Sequence, residues 1–218
     1  MRLTTRVAAA ATTIVLAATG VALAAPAASA SSSLGTSPLS DVLLADGDTF
    51  DNNKWDYDIV TQAALWVIDE TGGNTDVALL TQGDVALTAF IPRDIAFYRL
   101  VEDLTGTWPA SEADAFAVVG SLGVPTVEKV LLYHVVPGAT IDSAAALQAD
   151  GADLVTADGG NTFMVNVVNR SNGGFGIRLV DNDPDLRNPW VAKSQLDINA
   201  GNMQIAHGIG RVLIPVNL

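Results

Sequence analysis

The chain has 218 residues, 49% hydrophobic and 16% charged, and its 24 acidic and 11 basic residues give a formal net charge of −13. Such a charge repels phosphate backbones and anionic headgroups, which excludes nucleic acid as a natural partner. With no cysteine there is no disulfide, no thiolate zinc site and no cysteine nucleophile.

Arg2 and Arg6 precede an uncharged apolar stretch over residues 7–25, and Pro26 and Ala28-Ser29-Ala30 follow it. This order of basic, apolar and small residues predicts an export signal over residues 1–30, cleaved after Ala30. The arginines are not adjacent, so no twin-arginine signal is read. No second apolar stretch follows. The product is therefore expected outside the cell, free or held at its surface, with no stable membrane insertion after cleavage. Residues 31–38 read as a flexible lead-in to one domain over residues 39–218.

Aspartates gather at Asp46, Asp48, Asp51, Asp56 and Asp58. Ile59, Ala63, Trp66 and Val67 then recur at helical spacing and predict a helix over residues 59–69, ended by Gly72-Gly73. Residues 77–80 and 85–91 are β-rich runs on either side of Thr81-Gln82-Gly83-Asp84, which predicts a hairpin. Pro92-Arg93-Asp94 predicts a helix to about residue 104 with Asp94 as its own N-cap. Ser111-Glu112-Ala113-Asp114 predicts a capped helix to residue 121. Thr126 is read as the cap of another, leading through residues 131–136 to a turn at Pro137-Gly138.

A short Ala-rich helix is predicted over residues 143–149. From Ala152 the pattern changes to strands at 154–156, 162–168 and 175–180, separated by glycine-rich turns, with two more short strands within 204–215. Helices in the first half and strands in the second argue for an α+β fold.

Three segments carry a family resemblance. Thr88-Ala89-Phe90-Ile91-Pro92-Arg93-Asp94-Ile95-Ala96-Phe97 resembles the first signature of fasciclin domains. Tyr133-His134-Val135-Val136-Pro137-Gly138 is similar to their central Tyr-His segment. Asn202 and the run from His207 through Val212-Leu213-Ile214-Pro215 resemble their closing signature. The resemblance implies an α+β wedge of two small β-sheets flanked by helices, and a secreted or surface module for adhesion. It also implies a partly buried Tyr-His segment whose histidine ties core elements together. Arg93 stands where Ser or Thr is usual, and Gly208 and Gly210 replace an apolar residue and an Asp. Glycine loosens strands, so a softer final hairpin is expected.

Candidate chemistry is sparse. No G-x-S-x-G elbow and no phosphate loop occur, and His134 lies among apolar neighbours. No catalytic residue and no cofactor is expected. No local stretch supplies a full metal set: the two histidines are far apart, and both Asp46-Gly47-Asp48-Thr49-Phe50-Asp51 and Asp181-Asn182-Asp183-Pro184-Asp185 break the EF-hand pattern. Both loops read as solvated turns. Asn169-Arg170-Ser171 reads as a chance glycosylation match. Trp55, Trp108 and Trp190 fall in loops or at element ends, where tryptophans anchor partners or close a core edge.

The expected function is a secreted, non-catalytic interaction or cell-adhesion module. Its partner is expected to be an extracellular or cell-envelope protein or glycan, met through a surface around Tyr133, His134, Trp108 and Trp190, without a metal. The alternative is a binding protein for a small apolar or carbohydrate ligand at the sheet–helix junction. A deep apolar pocket would favour that alternative.

Overall fold

The computed structural model describes residues 33–45, 47, 49–169 and 174–216. The expected export signal lies outside these residues, as do Asp46, Asp48 and the Arg170-Ser171 part of the glycosylation match. In chain order the elements are α1 (Leu39–Leu43), α2 (Asp58–Glu70), a 3-10 turn (Asp76–Thr81), β1 (Leu87–Pro92), α3 (Asp94–Thr105), α4 (Glu112–Ser121), α5 (Val124–Tyr133) and β2 (Val135–Pro137). There follow α6 (Ser143–Gln148), β3 (Asp153–Val155), β4 (Thr162–Asn169), β5 (Phe175–Val180), a second 3-10 turn (Lys193–Gln195) and β6 (Gln204–Ile209).

This is the α+β arrangement expected, with two small sheets and helices around them. One sheet has the order β2-β1-β6, with β1 antiparallel to β2 and parallel to β6. The other, β3-β4-β5, is antiparallel throughout.

Every residue of β1 is buried, because this central strand is covered on both faces. Side chains alternate across a strand, so Leu87, Ala89 and Ile91 join the helical core while Phe90 joins the core between the sheets. The helical core takes Ile59, Ala63 and Val67 from α2 and Phe97, Leu100 and Val101 from α3. Between the sheets, Phe163 meets Phe90 edge-on at 5.3 Å and Tyr133 at 5.9 Å between ring centroids. Trp190-Val191 closes the seam of the two sheets: Trp190 bridges to Arg178 on β5, and Val191 to Ile209 on β6.

Several expectations change. Residues 77–80 form the first 3-10 turn and no hairpin. The Thr75 hydroxyl accepts the Val77 N–H at 3.2 Å, and the Gln204 amide donates to the carbonyls of Leu79 and Gln82. Gly123, not Thr126, precedes α5, with Pro125 in its first turn. The carboxyl end has one strand rather than two.

The lead-in is pinned from residue 35 onward. Gly35 N–H donates to Gly201 O at 2.8 Å, Met203 N–H to Gly35 O at 2.9 Å, and Ser37 N–H to the Asn202 side chain. It passes so close to Gly83 that a Cβ there would lie 1.9 Å from Thr36 O. Gly208 likewise serves close packing, because a Cβ would lie 2.5 Å from the Tyr57 hydroxyl. β6 is therefore a buried, doubly paired strand instead of the softened one expected.

Candidate functional site

The signature residues converge on the inside of the molecule. The Thr88 hydroxyl donates to Ala139 O and accepts the Ile141 N–H, both at 2.8 Å, and so fixes the turn after Pro137-Gly138. Tyr133 is fully buried, with its hydroxyl donating to Thr162 O at 2.8 Å. His134 donates from Nδ1 to Val130 O at 2.7 Å and accepts the Leu213 N–H on Nε2 at 2.9 Å. Burial pushes its pKa down to about 4, so the ring is neutral. Tyr133 and His134 thus contribute no exposed surface, contrary to the expectation that a partner meets them there. Val212, Leu213 and Pro215 are buried with them, and Asn202 braces the lead-in.

His207 is equally enclosed, with Nε2 donating to Ile141 O at 2.8 Å and Nδ1 accepting the Asp197 N–H at 3.3 Å. Ser143 and Asp197 stand nearby, but the Ser143 hydroxyl donates to the Asp197 carboxylate. A hydrolytic triad needs the imidazole between nucleophile and acid. Here the acid stands between the two, and both ring nitrogens are spent on backbone groups.

Asp94 sits just inside α3 but does not cap it. Its carboxylate accepts the N–H groups of Asp58 at 3.2 Å and Ile59 at 2.9 Å, so it caps the start of α2 from across the structure. Asp56, Asp58 and Glu112 are buried beside it. Burial, then contact with the Asp56 carboxyl, pushes the Asp94 pKa up to about 9. Burial followed by the charges of Asp56 and Glu112 pushes Asp58 up to about 6. The Asp181–Asp185 loop is the solvated turn expected only in part: Asn182, Pro184 and Asp185 are exposed, but the carboxylates of Asp181 and Asp183 turn to backbone groups. Asp183 is buried and accepts the N–H groups of Asp185 and Leu186, while Asp181 accepts the Ile214 N–H at 3.0 Å.

Exposed character lies elsewhere. Two cavities in the helical core measure about 20 and 30 Å³, room for a water or two. Two open grooves of about 320 Å³ each mark the surface. One runs between α6 and β5, lined by Leu147, Ile177, Val191 and Leu196 with Phe175 half exposed at its edge. The other lies at the seam, where Trp190, 37% exposed, meets Arg99, Arg187, Asn188 and Arg211. Arg99 donates to Gly210 O, and its pKa is lowered by burial and by its cationic neighbours Arg211 and Arg93. Trp108 is also exposed, with Lys54 over its ring at 5.8 Å and Tyr98 beside it at 5.5 Å.

The seam groove was not legible in the sequence, because its arginines come from three distant segments. A family model described as Fasciclin domain matches residues 67–215, a span that contains all three signature segments. The chain belongs to the fasciclin family. Among solved structures, this fasciclin domain is similar to a FAS1 domain pair from the insect cell adhesion molecule Fasciclin I. Identity is 14% and the TM-score 0.49, over 71% of this chain and 46% of that one, so the chain spans less than half that length. No curated protein matches. Among the described residues, no single helix is long and apolar enough to cross a membrane.

Proposed function

We propose that this fasciclin domain is an exported, non-catalytic interaction module that holds an extracellular or cell-envelope partner through the seam groove at Trp190. The observation that carries the reading is the gathering of Arg99, Arg187 and Arg211, three of the chain's eleven basic residues, beside the partly exposed Trp190 ring, with Asp103 paired to Arg211. In a protein of net charge −13 this local excess of positive charge selects a partner bearing carboxylate or sulfate groups. Trp190 supplies an apolar platform for a sugar ring or side chain. The spent histidines support the non-catalytic part of the reading.

Co-sedimentation with isolated cell envelopes tests it. The parent chain should bind at low salt and less at physiological salt, where the Debye length is about 8 Å. Trp190→Ala should lose most of the binding. Binding that survives Trp190→Ala and Arg187→Ala, and is lost in Phe175→Ala, would move the function to the apolar groove beside α6. That groove supports a second reading, a small apolar or carbohydrate ligand.

A further inference from the structure

Five carboxylates from three separate segments meet at the start of α2. Asp56, Asp94 and Glu112 each present an oxygen within 4.8 Å of the others, and so do Asp51, Asp56 and Asp58. Four of the five side chains are buried, and Asp51 is exposed. Two of the oxygens, Asp56 Oδ1 and Glu112 Oε1, are fully buried and have no hydrogen-bond partner. Carboxylates withdrawn from water demand a counter-charge or a proton.

Among the described residues, no ion pair supplies that charge. The cations nearest along the chain are engaged elsewhere, the Lys54 ammonium over the Tyr98 ring at 4.9 Å and the Arg93 guanidinium over the Trp55 ring at 4.9 Å.

We propose that this cluster is a binding site for a divalent cation, and that the ion is calcium. The donors are all hard oxygens, which excludes the soft and nitrogen-seeking metals. Calcium takes six to eight oxygens in adaptable geometry, whereas magnesium keeps most of its waters and uses one or two carboxylates. Asp56 Oδ1 and Glu112 Oε1 are the direct ligands, each free of other duties. Asp94, held by the two N–H groups of α2, offers its remaining lone pairs. Asp51 and Asp58 share Asp56 with the buried trio, so exposed Asp51 marks the way in from solvent. The ion ties the loop before α2 to α3 and α4, where the Glu112 carboxylate already accepts the Asn52 N–H at 2.8 Å. Asp51, Asp56 and Asp58 precede the residues matched by the family model, while Asp94 and Glu112 lie within them.

Thermal melting and calorimetric titration of the purified full chain with calcium chloride test the site. EDTA and magnesium chloride serve as references. Millimolar calcium should raise the melting temperature of the parent chain above its value in EDTA, magnesium should do so less, and the titration should show binding with release of protons. Asp56→Asn and Glu112→Gln keep the side-chain size and each remove a ligand charge. Both should melt in EDTA no lower than the parent and lose about tenfold or more in calcium affinity. Absence of binding heat and of any calcium-dependent shift in the parent would overturn the proposal, leaving a proton shared between Asp56 and Asp94. A calcium shift of equal size in both variants would overturn it as well, by placing the ion elsewhere.

Discussion

The imidazole of His134 accepts the backbone N–H of Leu213 at 2.9 Å across 79 positions of sequence. This bond joins the end of α5 to the irregular segment that follows β6. His134→Ala leaves a buried N–H without a partner, and should lower stability by about 1–3 kcal/mol in thermal melting. Envelope binding should persist at temperatures where the variant is folded. Unchanged melting with binding lost would make His134 a contact residue instead.

The same ring sets a pH dependence. Its folded pKa of about 4 lies below the ordinary 6.5, so between these values the unfolded chain binds more protons. The His134 contribution is complete above pH 6.5 and lost as pH falls toward 4, on the order of 3 kcal/mol in all. Asp58 and Asp94 act with the opposite sign, because their raised pKa values favour the folded state in acid. The stability of the parent chain minus that of His134→Gln, followed from pH 7.5 to 4, isolates the histidine. That difference should shrink steadily across the window.

Gly208→Ala should destabilise by about 1–3 kcal/mol, since its Cβ is forced against the Tyr57 hydroxyl and Gln195. Denaturant unfolding measures this. Tyr57→Phe in the same background removes the closest of those atoms and should recover part of the loss.

Export is checked by mass. The charge pattern of residues 1–30 and the Ala28-Ser29-Ala30 site predict that the exported product begins at Ser31. The intact mass of protein from the culture supernatant should match residues 31–218, and a species that keeps Met1 in the membrane fraction would contradict it.

Much of the architecture was legible because it is local. The 3.6-residue recurrence of Ile59, Ala63 and Val67 marked α2, and the Ser111–Asp114 pair capped α4 as read. Apolar runs at 162–168 and 175–180 became β4 and β5. Errors arose where distant partners decided the outcome. The Gln204 amide captures the carbonyls around residues 79–82, so a β-rich run turns instead of extending. Asp94 looked like the cap of the helix it enters, yet it caps one that begins 36 positions earlier. The Tyr133-His134 pair is legible as a signature whose histidine ties core elements, and the structure has that tie; its reading as contact surface fails, because flanking residues do not reveal which segment packs over a side chain. The seam groove and the carboxylate cluster exist only once three segments each have been folded together, and no local spacing announces them.

The most direct measurement of the central claim is the affinity of parent and Arg187→Glu chains for one immobilised uronic-acid polymer, taken at low and physiological salt. Arg187 is exposed and lines the groove without a described role in the core. Reversing this charge should weaken binding at low salt by about tenfold, in line with about 1.4 kcal/mol, with melting unchanged. The difference should narrow as salt rises. Equal affinities for the two chains, at both salt concentrations, would contradict the claim.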